Sequence, residues 1–364
     1  MTPALVLRIL LTHLAAGCGG AVAAQLKIPL PWMIGSLTVV AALGLSGLAV
    51  STHRTVRDGA VLIIMTALGL TFTPEAARAA AALLPEMLAA AVATVAIAAL
   101  LSRVLMLTAG IDATTAFFCS VPGGPVEMSM MGERNGARVP EIAMNQLLRI
   151  VLLVIIIPTA ITLSGATGDV VTLHSRIAFD PAGLALSLAI ALGLALIARR
   201  YGLATAFLLM PMGTGVVLGL SEANLSAVPT WMSNACQVVM GCYLGAQFRR
   251  DSVRALRRFI PSAILNVLLL TAGCSAVGYA IALVSGMPWP TAILSTSPGS
   301  VTEMAITAKV LHFDVPTVTA FHVLRIFLVL ATVPLVHAGL KRIGYFGPPS
   351  RSLSASAAER SPAE

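Results

Sequence analysis

The sequence predicts an all-α polytopic membrane protein made of two tandem repeats, each of about five transmembrane helices plus one re-entrant or broken helix. Three observations carry that prediction. Of 364 residues, 57% are hydrophobic and 10% charged, with a mean hydropathy of +0.92, whereas a soluble surface needs roughly a quarter of its residues charged. Position n matches position n + 176 over a long ungapped span. Both copies also interrupt an apolar stretch with Pro-Gly at the same register. Such a composition argues against a secreted disulfide scaffold, a disordered regulator and a cytosolic nucleic-acid-binding domain.

The duplication rests on residue types that chance similarity of oily sequence does not preserve. Leu68-Gly69 pairs with Leu244-Gly245, Phe72 with Phe248, Pro85 with Pro261 and Pro122-Gly123 with Pro298-Gly299. Glu127-Met128 pairs with Glu303-Met304, Leu148-Arg149-Ile150 with Leu324-Arg325-Ile326 and Pro158 with Pro334. A register this long, holding Pro, Gly, Glu and Arg, marks an internal repeat. The boundaries expected are 4–163 for the first membrane repeat, 164–182 for the connecting loop and 183–340 for the second repeat. A Ser-, Ala- and Pro-rich tail over 347–364 is expected to be disordered.

In chain order, the first repeat offers apolar runs at 4–24, 30–50, 58–73, 83–107 and 140–163, each long enough, or nearly so, to cross a ~30 Å hydrocarbon core. The first is read as a retained helix despite Ala21-Val22-Ala23, which resembles a signal-peptidase site. Between the fourth and fifth runs lies Ser120-Val121-Pro122-Gly123-Gly124, matched later by Thr296-Ser297-Pro298-Gly299-Ser300. A Pro-Gly break ends a helix, and irregular backbone at membrane depth is tolerated only inside protein or beside a wet cavity.

Charge favours a re-entrant over a fully crossing segment, with the crossing arrangement kept as the alternative. With the N-terminus cytoplasmic and both segments re-entrant, 17 Lys and Arg fall inside, 4 outside and 2 within spans. Full crossings would place 9 inside and 12 outside, against the positive-inside rule. Five crossings per copy then invert the second repeat and leave both termini in the cytoplasm. The net charge of +8 is thereby explained by topology, with no nucleic acid as partner; the bilayer itself is the expected surroundings. The Arg249–Arg258 cluster reads as a topology anchor beside anionic lipid.

The candidate solute- and ion-binding residues follow from the breaks. Glu127 and Glu303 stand three residues past Gly124 and Ser300; each either closes a capping-box-like helix start or serves as an intramembrane proton or cation site. Arg149 and Arg325 lie near mid-span, where a cation needs a partner. That partner is either the Glu of the adjacent segment or an anionic solute. Gln146 and His322 precede the two arginines by one turn, so the half-sites differ chemically. Ser120, Pro122, Gly123, Gly124, Ser297, Pro298, Gly299 and Ser300 complete the set as backbone and hydroxyl groups of the breaks. Asp58 and Asp112 read as N-caps, and the five cysteines as small buried residues. The six histidines show no metal-ligand spacing, so no cofactor is expected.

At the paired Pro-Gly…Glu-Met segments with their Leu-Arg-Ile sequels, the chain resembles the AbrB-type membrane protein family of bacteria, over about 5–340. The resemblance implies a duplicated membrane domain in the inner membrane. Ser300, where the first copy has a second glycine, departs from the pattern slightly. Family members carry the labels ammonia monooxygenase and regulator of gene expression. The function expected here is a secondary transporter of a small anionic solute, coupled to protons or sodium, with any effect on gene expression indirect. The alternatives are a membrane sensor using the same cavity and, behind it, a membrane monooxygenase; a homo-oligomer is a further expectation.

Overall fold

The computed structural model describes residues 3–166, 168, 179–203, 205–221, 223 and 225–345. The tail expected over 347–364 and most of the loop expected over 164–182 lie outside the described residues. All regular structure among the described residues is helical. The first copy holds α1 (Pro3–Gln25), α2 (Pro31–Ser46), α3 (Arg54–Gly69), α4 (Pro74–Ala82), α5 (Leu84–Ala109), α6 (Ala113–Ser120), α7 (Pro125–Arg134) and α8 (Val139–Leu163). The second holds α9 (Pro181–Arg200), α10 (Ala206–Leu220), α11 (Thr230–Gly245), α12 (Arg250–Ala255), α13 (Ile260–Ser285), α14 (Trp289–Thr296), α15 (Val301–Val310) and α16 (Val315–Arg342). The bounds of α3, α5, α6 and α7 recur at the sequence offset, residue for residue, in α11, α13, α14 and α15.

Six helices, α1, α5, α8, α9, α13 and α16, are long and apolar enough to cross a membrane. Their outer faces carry what lipid would accept and water would not: Leu7, Leu10 and Leu14 on α1, and Leu186, Ile190 and Ile197 on α9, are exposed. Helix α2 is shorter than the run of 30–50 suggested, and α3 is as short as its run of 58–73, at 16 residues each, or about 24 Å. Gly47, at φ +94°, ends α2 in the left-handed region that a glycine adopts freely. The third run starts earlier, at Arg54, and stops at Gly69, after which the chain bends by 88° into α4. Thr73 caps α4, accepting from the Ala76 amide at 3.2 Å, with Pro74 at its first position.

The helices sort into two bundles. Helices α1, α2 and α3 pack with α9, α10 and α11, while α5, α6 and α8 pack with α13, α14 and α16. Contacts recur when the copies are exchanged: α2 lies on α11 as α10 lies on α3, and α6 on α5 as α14 on α13. The first bundle is drawn together by small residues, which let backbones approach where lipid supplies no hydrophobic drive. A Cβ on Gly69 would lie 2.3 Å from the Met212 carbonyl oxygen, and one on Gly215 would lie 2.4 Å from that of Thr66. Gly215→Ala is therefore expected to push α3 and α10 apart at a cost of about 1–3 kcal/mol. Thermal unfolding of the purified protein measures it, and a variant as stable as the parent contradicts the close approach.

In the second bundle, α6 and α7 fold back on each other. The Arg138 amide, just past α7, donates to Thr115 Oγ1 at the start of α6 over 2.9 Å. Arg138 also pairs with Asp112 at 3.8 Å, the residue that caps α6 through the Thr115 amide at 2.8 Å. Entry and exit of the hairpin thus stand side by side. In the second copy the direction follows from hydrogen bonds: His322 and Arg325, successive along α16, reach Leu294 of α14 and Ser297 just past its end. Helices α14 and α16 advance together, so α15, which joins the end of one to the start of the other, runs back.

Candidate functional site

Each hairpin tip is an interrupted helix, and an interrupted helix leaves orphan carbonyls at its end. Val121 is extended and Pro125 opens α7, so the last carbonyls of α6 find no helical partner. Side chains of α8 supply them. Gln146 Nε2 donates to the carbonyls of Phe118, Cys119 and Val121 at 3.0, 3.2 and 2.9 Å, and Asn145 Nδ2 to that of Cys119 at 2.7 Å. Arg149 Nη2 donates to the Gly123 carbonyl at 2.8 Å. In the second copy, with Phe321 and His322 in place of Asn145 and Gln146, fewer donors do the same work. His322 Nε2 donates to Leu294 at 2.9 Å, and Arg325 donates to Ser297 at 2.6 Å and to Gly299. The cation at a helix C-terminus also complements its dipole.

This geometry corrects the ion-pair alternative of the sequence. Among the described residues neither arginine forms a salt bridge with Glu127 or Glu303; the ion pairs present involve Asp58, Asp112 and Glu141. The capping box is corrected too: Ser300 occupies the N-cap position of α15, but its side chain accepts no cap hydrogen bond. The two acids also differ in setting. Glu303 is 3% exposed, on a helix buried from Val301 through Ala308. Glu127 is half-buried on α7, of which only Met128 and Gly132 are buried, and its carboxylate folds back over Gly124. Paired Met128 and Met304 have a steric reason. A Cβ on Gly123 would lie 2.5 Å from Met128, and one on Gly299 would lie 2.8 Å from Met304; each tip is seated on its own methionine.

Both tips open onto one cavity of about 390 Å3 between the two bundles. From the hairpin bundle it is lined by Pro122, Gly123, Gly124, Glu127, Arg149, Gly299, Ser300, Glu303 and Arg325. Ser120, Gln146, Ser297, Pro298 and His322 do not line it. Gln146, His322 and the Ser297 carbonyl belong to the bracing of the breaks just described. Ser120 Oγ instead accepts from Asn266 of α13 at 3.1 Å, tying one repeat to the other. Several buried polar atoms around the tips have no partner among the described residues, including Nε of both arginines and one carboxylate oxygen of Glu303.

The opposite wall was not anticipated. Arg54, Arg57 and Asp58 of α3, Tyr243 of α11 and Arg199 at the end of α9 face the cavity. Asp58 is not an N-cap, a role His53 fills. Its buried carboxylate instead accepts from Arg57 at 3.1 Å and lies 3.9 Å from Arg54, while Arg57 rests over the Tyr243 ring at 5.4 Å. The signal was present as Arg54-x-x-Arg57-Asp58 at helical spacing, but its arginines read as topology charges. Four of the five free cysteines are buried as expected, whereas Cys18 is exposed. Among the described residues no three His, Cys, Asp or Glu gather in a way that could hold a metal ion.

The helices and hairpins define a multi-pass membrane protein with an internal polar cavity. The family profile described as "Transition state regulatory protein AbrB" matches residues 32–340, and the chain belongs to that family. It is 26% identical over 258 residues to "Putative regulator AbrB" of Escherichia coli (strain K12), covering 69% of this chain and 73% of the relative. It is also 26% identical over 239 residues to "Uncharacterized protein YhjN" of Bacillus subtilis (strain 168), covering 61% and 62%.

Proposed function

We propose that the chain is a secondary transporter of a small anionic solute, coupled to a proton or sodium ion, in the bacterial inner membrane. One observation carries the reading: the Pro-Gly tips of both copies line the same cavity together with Arg149, Arg325 and Glu303. Helix breaks that meet at depth, with helix N-termini and a cation directed to an anion, are the working parts of repeat-built transporters. With five crossings and one re-entrant hairpin per copy, the second repeat is inverted and both termini are cytoplasmic. Glu303, buried and without an ion-pair partner among the described residues, is the candidate coupling group, because such a carboxylate is costly to keep charged at membrane depth. The hairpin bundle is the moving body and the α1–α3/α9–α11 bundle the frame.

Uptake of labelled mono- and dicarboxylates into proteoliposomes under imposed proton or sodium gradients tests the reading. Accumulation that follows one of the gradients is expected; a folded protein that moves none of them contradicts it. The name of the Escherichia coli relative, a regulator, favours a second reading, a membrane sensor with effects on gene expression. That reading is supported if a solute binds in the cavity without flux.

A further inference from the structure

We infer that the solute is a dianion, of the dicarboxylate class, and that Arg57 of the frame bundle is the residue that selects it over a monoanion. The inference rests on the transport reading above and goes further in fixing the charge of the cargo. Among the described residues the cavity wall holds five arginines against three carboxylates. Asp58 is already shared between Arg54 and Arg57, and even with Glu127 and Glu303 fully charged two positive charges stay unmatched. Arg54 and Arg199 are exposed, whereas Arg149 and Arg325 are buried with no ion pair among the described residues; an unmatched buried charge is expensive, so the occupant that completes the cavity carries two negative charges.

The donors are arranged for two anionic groups. A guanidinium has five N–H donors. Arg325 gives one each to the Ser297 and Gly299 carbonyls, and Arg149 gives its one short bond to Gly123. Nε of each is buried with no partner among the described residues. These two arginines come from the hairpin bundle and line the same cavity. Arg57 comes from the other bundle and lines the same cavity as Glu303 and the two hairpin arginines. Its guanidinium is held in place by Asp58 on one side and by the Tyr243 ring beneath it, the planar, oriented presentation that suits carboxylate recognition. A dicarboxylate can therefore place one group against Arg149 and Arg325 and the other against Arg57, bridging the bundles; a monocarboxylate engages one end only. The cavity volume of about 390 Å3 lies toward the small end of ligand pockets, as short-chain diacids require.

The test is equilibrium binding to the purified full-length protein of succinate against butyrate and glutarate against valerate, with parallel uptake into proteoliposomes. The diacid of each pair is expected to bind at least about tenfold tighter than its monoacid, one charge-assisted contact being worth that much. Arg57→Gln, half-buried and outside the hairpins, is expected to reduce that preference to within about threefold mainly by weakening the diacid, while Arg57→Lys retains part of it. Monoacids bound or moved as well as diacids, or an Arg57→Gln variant that keeps the full preference while eluting as a single folded species, overturn the inference and leave the transport reading standing. Neither acid bound or moved by the folded parent protein overturns both.

Discussion

Arg325→Ala is expected to destabilise the protein by about 2–5 kcal/mol, and Arg149→Ala by about 1–3 kcal/mol, from the cost of leaving buried acceptors unmade. The difference comes from redundancy at the two tips. Removing Arg325 orphans the carbonyls of Ser297 and Gly299 together, and His322, bonded one turn away to Leu294, cannot replace it. Removing Arg149 orphans only Gly123, because Val121 keeps its bond from Gln146 at 2.9 Å. Thermal unfolding of the two variants in the same detergent ranks them directly. Equal losses, or a larger loss for Arg149→Ala, would mean that the carbonyl bracing is not what holds the tips. Lysine at 325 is expected to recover part of the loss, since one ammonium can reach one carbonyl without reproducing the fork.

Glu303→Gln is expected to abolish gradient-driven accumulation of solute while exchange of internal for external solute continues. Glutamine keeps the shape and the hydrogen-bonding oxygen but cannot gain and lose a charge, so it removes coupling without emptying the site. Glu127→Gln is expected to act more weakly. Its carboxylate is half-buried and folded over Gly124, on a helix of which only Met128 and Gly132 are buried, whereas Glu303 is 3% exposed. Accumulation and exchange measured in the same vesicles separate the two effects. Glu303→Gln vesicles that still concentrate solute against a gradient would remove Glu303 from the coupling role.

The repeat and the hairpins were legible in the sequence because they rest on backbone constraints. Pro122-Gly123 and Pro298-Gly299 cannot continue a helix whatever surrounds them, and the charge count favoured a chain that turns back there; the Thr115–Arg138 contact places the hairpin ends together. The fate of the arginines was half legible. Mid-span Arg149 and Arg325 needed partners, but spacing alone favours a carboxylate nearby over carbonyls that exist only once a helix has been broken beside them. The frame wall was not legible, because Arg54, Arg57 and Arg199 sit at helix ends, where a basic residue is expected from topology. Only the packing of α3 against α15 and α16 brings its basic end to the cavity. The unequal burial of Glu127 and Glu303 was likewise invisible, since both copies carry the same motif and differ in how closely α3 covers α15.

A structure determined with a bound dicarboxylate tests the central claim most directly, that the two broken hairpins share one anionic solute. The account predicts the solute in the cavity between the bundles, with one carboxylate in hydrogen-bond reach of both Arg149 and Arg325. Solute bound elsewhere, with both arginines engaged only by the carbonyls of the breaks, would contradict it and leave the arginines as braces of the hairpin tips.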